Sequence, residues 1–156
     1  MIEIKRNPNG DSRTGNKNVS LDEFHKANVM HIADVYNIVD FLINILRNKA
    51  RWHDYSKLEH EKLFYKNYLE AVNKEIPFEE SEFYKLHLEV ERHHPNKNLK
   101  DDVNLLDIIE MICDCIAAQA ARNGSKPNDI PLDEGILELA YKNTIKYIND
   151  NITIKD

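Results

Sequence analysis

The sequence predicts an all-α protein, a single-domain bundle of about five helices with an extended N-terminal arm. Three observations lead to this prediction. Apolar residues recur every three or four positions through most of the chain, which is the spacing of one helix face. Residues that start and stop helices bracket those stretches. No convincing run of alternating polar and apolar residues indicates a sheet.

The arm is predicted to cover residues 1–19, and the helical domain residues 20–150. Ile2 and Ile4 alternate with charged residues, which favours a short strand or an extended segment. The Asn-Pro-Asn-Gly sequence at 7–10 marks a turn before a polar loop. No chemistry is assigned to the arm.

The first helix is predicted to begin at Ser20 and to end near Arg51. Glu23 lies three residues after Ser20, which is the spacing of a capping box. Basic residues close the helix, as is favourable at the negative end of its dipole. One apolar stripe is expected to be buried and to include a histidine; it consists of Phe24, Ala27, His31, Val35, Ile38, Leu42 and Ile45.

Four further helices are predicted, near residues 53–72, 79–92, 101–122 and 132–148. The fourth helix of the chain begins at Asp101 or Asp102 and stops at Asn123-Gly124, a C-cap signal. That helix is apolar nearly all round, so it is expected to be the buried centre of the domain. The tail after Asp150 is expected to fray.

Composition excludes several classes of protein. A chain of 156 residues fits one domain, and its net charge of −6 argues against a surface for duplex nucleic acid. No apolar run approaches the roughly 20 residues that span a bilayer, so no membrane partner is expected. Cys113 and Cys115 have neither disulfide nor zinc spacing, which favours the reducing cytoplasm. A homo-oligomer stays open.

Histidines and carboxylates gather at predicted inward positions and helix ends. The pair His53-Asp54 lies where the first helix gives way to the second, and His87 and His93-His94 lie along the third. Imidazole and carboxylate are ligands of divalent transition metals. Each residue alone could pack or cap a helix, but burying so many polar groups without partners is costly. Their joint occurrence therefore indicates a metal site.

Three carboxylates, Asp107, Glu110 and Asp114, share one face of the fourth helix, because they are spaced three and four residues apart. A solvated stripe is the alternative interpretation. Against it, the stripe has no Lys or Arg before Arg122. Carboxylates on one face repel one another unless something positive, such as a metal, faces them.

The order of His31, then His53-Asp54, then a distal Asp on a central apolar helix resembles the HD-domain superfamily of metal-dependent phosphohydrolases, over about residues 20–122. Four segments are similar to small proteins of phages and their bacterial hosts: residues 6–11, 53–57, 91–94 and 110–114. The resemblance implies an HD-like helical fold with one or two ions of Mn, Fe, Co, Ni or Zn. A phage-encoded protein of this kind would act in the host cytoplasm.

The resemblance also implies roles for single residues. It gives the metal ligands as His31, His53, Asp54 and Asp114, with Asp107 as the second choice for the distal Asp. Members with two metals have additional histidine ligands on later helices. Three residues resemble these histidines and would bind a second metal or the substrate: His87, His93 and His94. A histidinium from His87 or His94 could also face the developing negative charge.

Lys57 stands where some nucleotidase members carry a Glu that positions the attacking water, and it matches members with His-Asp-x-x-Lys. Its ammonium could reach a phosphate oxygen on the metal. It could equally neutralise Asp54 or a neighbouring Glu. With Lys at this position, Glu110 becomes the candidate general base by its place on the helix.

The sequence therefore predicts a metal-dependent phosphohydrolase that uses a metal-activated water on a small phosphorylated molecule, a nucleotide or cyclic nucleotide. Two alternatives stay open. An HD-like di-iron oxygenase would use the additional histidines and oxygen. A non-catalytic helical binding protein of phage origin would use its histidines for packing or for a stabilising metal.

Overall fold

The computed structural model describes residues 1–155 as predominantly helical, with one two-stranded sheet. The helices are α1 (Leu21–Trp52), α2 (Tyr55–Glu59), α3 (Glu61–Val72), α4 (Glu82–Val90), α5 (Leu105–Asn123) and α6 (Glu134–Asp150). The strands are β1 (Ile2–Lys5) and β2 (Ile152–Lys155), and single 3₁₀ turns lie at Pro8–Gly10 and Phe78–Glu80. The predicted all-α class is confirmed.

Local signals set most helix ends. The Ser20 backbone N–H donates to the Glu23 carboxylate over 2.9 Å, and the Glu23 N–H donates back to Ser20 Oγ over 3.3 Å. This is the predicted capping box. Gly124 ends α5 in the left-handed region, at φ 66°, as the C-cap signal predicted. The start of α5 was predicted too early, because Asn104 rather than Asp101 or Asp102 is its N-cap.

The predicted helix over 53–72 is two helices, because the chain turns at His60 between α2 and α3. The expectation of a frayed tail is wrong. Strand β2 pairs with β1 in parallel, in a register that runs from Ile2 opposite Ile152 to Lys5 opposite Lys155. The Ile-x-Ile alternation at both chain ends was the sequence signal for this pairing.

The chain divides into two compact units. The first contains residues 1–47 and the chain from residue 145, and the second contains residues 48–144. The arm thus shares a unit with most of α1, and the predicted boundary between residues 19 and 20 stays a prediction. In the first unit, Phe41 of α1 stacks on Tyr147 of α6 with ring centroids 5.9 Å apart.

The second unit has an apolar core that combines the start of α5 with α6. It consists of Val103, Ile108, Met111, Ile136 and Ala140. A second packing cluster joins α3 to α4, where the rings of Phe64 and Phe83 stack with centroids 4.5 Å apart. Helix α5 is buried only along one face of its first two turns, since Ile109, Ile112 and Ile116 are all exposed.

Helix α1 is mostly exposed, with Ala27 as its single buried residue. The predicted buried stripe is therefore wrong at Phe24, His31 and Val35, which are exposed. The stretch Leu21–Glu59 is long and apolar enough to cross a membrane, by length and composition only, with a mean hydropathy of 1.5 in its best window. Core helices of soluble proteins and signal sequences pass the same test. The expectation of no membrane partner stays a prediction.

Candidate metal centre

Asp54 lies at the joint between α1 and α2, in the left-handed backbone region at φ 56° and ψ 20°. Asp adopts this region more readily than most residues. Although Asp54 occupies the N-cap position of α2, its side chain makes no capping hydrogen bond. Its Oδ1 lies instead 3.3 Å from His93 Nε2 and 3.4 Å from His87 Nε2. The backbone turn thus directs the carboxylate into a cluster of imidazoles.

Four side chains bring one ligand atom each to a common point: Asp54, His87, His93 and His94. These atoms all lie within 4.8 Å of one another, and His87 Nε2 and His94 Nε2 are 2.9 Å apart. Ligand atoms about 2.1 Å from a metal lie roughly 3.0 to 3.4 Å apart at right or tetrahedral angles. The separations therefore match those of a coordination shell, and the group can hold a metal ion.

A second group adjoins the first and shares His93 with it; its other members are His53 and Asp114. His53 Nε2 lies 3.5 Å from Asp114 Oδ1 and 3.4 Å from Asp54 Oδ2. The rings of His53 and His93 have centroids 4.3 Å apart. Asp54 Oδ1 therefore faces the first group, and Asp54 Oδ2 faces His53 of the second group.

Buried polar atoms without hydrogen-bond partners lie at the junction of the two groups. They are Asp54 Oδ1 and both ring nitrogens of His93, whose side chain is fully buried. Each such atom costs about 1–3 kcal/mol of stability when nothing compensates it. A cation between Asp54 and the imidazoles would bond the carboxylate oxygen and one His93 nitrogen, so the residues present fit a metal.

The far nitrogens of the imidazoles have partners of their own. Ser56 Oγ lies 2.9 Å from His87 Nδ1, and Glu110 Oε1 lies 3.1 Å from His53 Nδ1. Glu110 Oε1 is also 3.4 Å from His93 Nδ1. Groups of this kind hold a ring with its Nε2 free to bind a metal. Hydrogen bonds thus orient the rings of His87 and His53 from behind, while Glu110 faces His93 Nδ1 as an ionic contact.

The electrostatics of the cluster follow from burial and from these contacts. Burial lowers the pKa of His87 and, with the charge of His93, lowers that of His94 to about 4. For His93 burial acts in the same direction, but contact with Asp54 and Glu110 outweighs it and raises the pKa to about 9. Burial would raise the pKa of Glu110, yet His93, His53 and Lys49 lower it to about 2.

Asp54 behaves in the same way. Burial would raise its pKa, but contact with His93 and Lys57 holds the pKa well below its ordinary value. The ammonium of Lys57 lies directly on Asp54 Oδ2, and the Lys57 side chain is about a third exposed. Lys57 therefore neutralises Asp54, as one of its two predicted roles required, while part of it stays accessible to a substrate.

Asp107 belongs to a different arrangement. It is fully buried and accepts from Lys49 Nζ over 2.5 Å and from the Arg92 guanidinium over 3.0 and 3.1 Å. It also accepts from the Asn104 N–H over 3.0 Å, which completes a capping box at the start of α5. Asp107 therefore lies in a structural ion pair outside both groups. Of the two candidates for the distal Asp, only Asp114 belongs to a group that could hold a metal.

The carboxylate stripe of α5 is also not free of facing cations, contrary to the expectation from its sequence. Lys49 reaches Glu110 Oε2 over 3.2 Å as well as Asp107, so a cation from α1 faces the stripe. Glu110 is not poised as a general base either, because its oxygens are taken by two imidazoles and an ammonium. Glu110 is instead a positioning residue for the rings.

The structure brings together His53, Asp54, Lys57, His87, His93, His94, Glu110 and Asp114 from the predicted site. It does not place His31 in either group; His31 is exposed on α1 in the first unit. His87 lies in the first group as a candidate ligand, and its predicted role toward the developing negative charge stays a prediction. Sequence reasoning missed Glu91, whose carboxylate accepts from the Ser56 N–H over 3.2 Å. Its place in the Glu-Arg-His-His segment was the available signal.

Comparison with known proteins gives a family but no function. No curated protein and no solved structure matches the chain significantly. The model of DUF5662, described as a family of unknown function, matches residues 21–150. That range holds every residue of the candidate metal centre, as well as His31. The chain therefore belongs to the DUF5662 family.

Proposed function

We propose that this protein is a metal-dependent phosphohydrolase that acts on a small phosphorylated molecule, a nucleotide or cyclic nucleotide. One observation carries the proposal: Asp54 Oδ1 and both His93 nitrogens make no hydrogen bond, although they are buried where four imidazoles and two carboxylates converge. The HD-like order of His53-Asp54 and a distal Asp114 supports the same conclusion.

The donor set restricts the metal. Imidazole nitrogens predominate over carboxylate oxygens in both groups, a set that suits Mn, Fe, Co, Ni or Zn better than Ca or Mg. The first group would hold one ion through Asp54, His87, His93 and His94. The second would hold another through His53 and Asp114, with Asp54 able to face both. His31 is left out of the proposed ligand set.

A divalent cation held there supplies Lewis acidity, which polarises a phosphoryl oxygen and lowers the pKa of water. The chain's own residues account for the rest. Glu110 and Ser56 hold the rings of His53, His93 and His87 in a fixed orientation. A preorganised site avoids the free-energy cost of ordering these groups during the reaction.

Lys57 is the group that would recognise the phosphate. Its ammonium lies on Asp54 at the edge of the cluster and is partly exposed, so it can shift to a phosphoryl oxygen without a backbone movement. An ammonium in that position offsets negative charge as it develops on the phosphoryl group. The proposed role of Lys57 is therefore binding and charge stabilisation, not proton transfer.

Metal analysis of the purified protein, followed by a screen of phosphorylated small molecules, tests the proposal. We expect bound transition metal and hydrolysis of at least one nucleotide or cyclic nucleotide. Asp54→Asn should strongly reduce both, whereas His25→Asn, at an exposed histidine outside the cluster, should change neither. Protein that neither carries nor gains metal would refute the proposal.

Two other outcomes would replace it. Iron-dependent absorption with oxygen uptake would indicate the di-iron oxygenase, for which the four clustered histidines also provide ligands. Bound metal without turnover, together with unfolding on metal removal, would indicate a structural metal in a binding protein.

A further inference from the structure

The first unit contains a cavity of about 580 Å³ that the proposed reaction does not use. Three walls enclose it: the paired strands, with Ile4 and Ile152; one face of α1, with Met30 and His31; and the loop that begins at Arg6. Sites for small organic molecules have volumes in this range and combine apolar walls with a few polar groups. Every lining residue belongs to the first unit.

The loop after β1 is held in one conformation by its own side chains. Asn7 Oδ1 accepts from the Asn9 N–H over 3.2 Å, and Thr14 Oγ1 donates to the Pro8 carbonyl over 3.0 Å. The loop also packs directly on α1, since a Cβ added at Gly10 would lie 3.3 Å from the Ala27 Cβ. A fixed loop loses little entropy when a ligand binds. This cavity wall is therefore preorganised.

Charged side chains in the cavity wall lack partners within residues 1–155. Lys5, Arg6 and His31 make no side-chain ion pair or hydrogen bond there, and neither does the half-buried Asp34. The carboxylate of Asp11, in contrast, is occupied by Arg13. Among residues 1–155, donor groups thus exceed free acceptors in the cavity, which favours an anionic ligand.

We infer that this cavity binds a small molecule with a phosphate monoester group, of about the size of a mononucleotide. The guanidinium of Arg6 presents two parallel N–H groups to a phosphate, and Lys5 and His31 supply further donors. Asp34 accepts from a donor on the rest of the ligand, and the strand isoleucines cover its apolar part. This inference does not depend on the proposed function of the metal centre.

Isothermal titration calorimetry of the full chain tests the inference with three probes: adenosine 5′-monophosphate, inorganic phosphate and acetate. We expect the nucleotide to bind most tightly and acetate least. Arg6→Gln should weaken nucleotide binding at least tenfold, because it removes the bidentate phosphate contact. Arg47→Gln is the matched control; Arg47 is an exposed arginine of the same unit that bonds only to Asn44, and its loss should change affinity less than twofold.

A further variant separates this cavity from the metal centre. Asp54→Asn should keep the nucleotide affinity that Arg6→Gln loses. The reverse pattern would place the phosphate at the metal centre and overturn the inference. Absence of binding by all three probes, or equal affinities for wild type and Arg6→Gln, would also overturn it. If Arg6→Gln does not fold, His31→Asn takes its place, and the NMR signals of the His31 ring in wild type must shift on nucleotide addition.

Discussion

Asp54 offers the sharpest test of the metal centre, because its carboxylate can be neutralised without disturbing the backbone. Asn tolerates the left-handed region about as well as Asp does, so Asp54→Asn keeps the turn between α1 and α2. The substitution neutralises a carboxylate whose Oδ1 faces His87 and His93 and whose Oδ2 faces His53, and it replaces one of these oxygens by an amide nitrogen. We expect metal affinity to fall about 100-fold, or roughly 3 kcal/mol.

The effect can be read from thermal unfolding. At a metal concentration 100 times the dissociation constant, binding stabilises the folded protein by about 2.7 kcal/mol. A 100-fold loss of affinity leaves about 0.4 kcal/mol at the same metal concentration. In a chain of this size each kcal/mol corresponds to about 2–4 °C in Tm. The metal-induced increase in Tm should therefore drop from about 5–10 °C to about 1 °C.

Two companion variants complete this experiment. Asp101→Asn removes an exposed carboxylate outside the cluster and should leave the metal-induced shift unchanged. Asp54→Ala should lose the metal response like Asp54→Asn. It should also lower the metal-free stability by about 1 kcal/mol, because Ala is less favourable than Asp in the left-handed backbone region. An undiminished shift in Asp54→Asn would refute the proposed ligand set.

Three further predictions concern charges around the cluster. Lys57→Met should lower kcat about 10–100-fold with metal content unchanged, measured by steady-state kinetics against the exposed Lys62→Met control; equal loss of metal would mean that Lys57 acts only on Asp54. Asp107→Asn should destabilise the protein by about 3 kcal/mol in denaturant unfolding, because it neutralises the buried carboxylate that Lys49 and Arg92 share, whereas Asp102→Asn, at an exposed ion pair, should cost less than about 1 kcal/mol. Metal-free protein should lose stability as pH rises from 6.5 to about 9, by up to about 3 kcal/mol, because His93 has a pKa of about 9 when folded and 6.5 as its ordinary value. A stability that stays constant over that pH interval would contradict the assignment to His93. A pH-dependent loss that persists in His93→Asn would contradict it as well.

Local signals carried most of the fold prediction. The Ser20 capping box, the Gly124 C-cap and the apolar spacing between them depend on residues within one or two turns, and each appears in the structure. The sequence could not show which apolar face of α1 would be buried, so His31 was wrongly expected to lie inside. The left-handed turn at Asp54 also has no signal in the sequence, since Asp is common at helix starts.

The metal centre also depends on contacts that no local sequence signal predicts. The carboxylate spacing of Asp107, Glu110 and Asp114 was correct, but their separate roles depend on cations that lie far away in the chain. Lys49 is 58 residues from Asp107, and only the folded chain shows that it pairs with Asp107. Sequence spacing can therefore nominate a metal site, but the distribution of positive charge decides which carboxylates remain available to a metal.

The distribution of positive charge explains why the folded protein tolerates these buried carboxylates without a metal, and why some of them can still bind one. Asp107 has two fixed cations and would gain little from a third. Asp54 and Glu110 instead face opposite nitrogens of His93, and these contacts raise the His93 pKa to about 9, which favours a charged ring at neutral pH. A metal that binds His93 must displace a ring proton, so metal and proton compete for one ring. Metal affinity should consequently rise with pH until His93 is neutral, and the metal-free cluster is held together by a charge that the metal replaces.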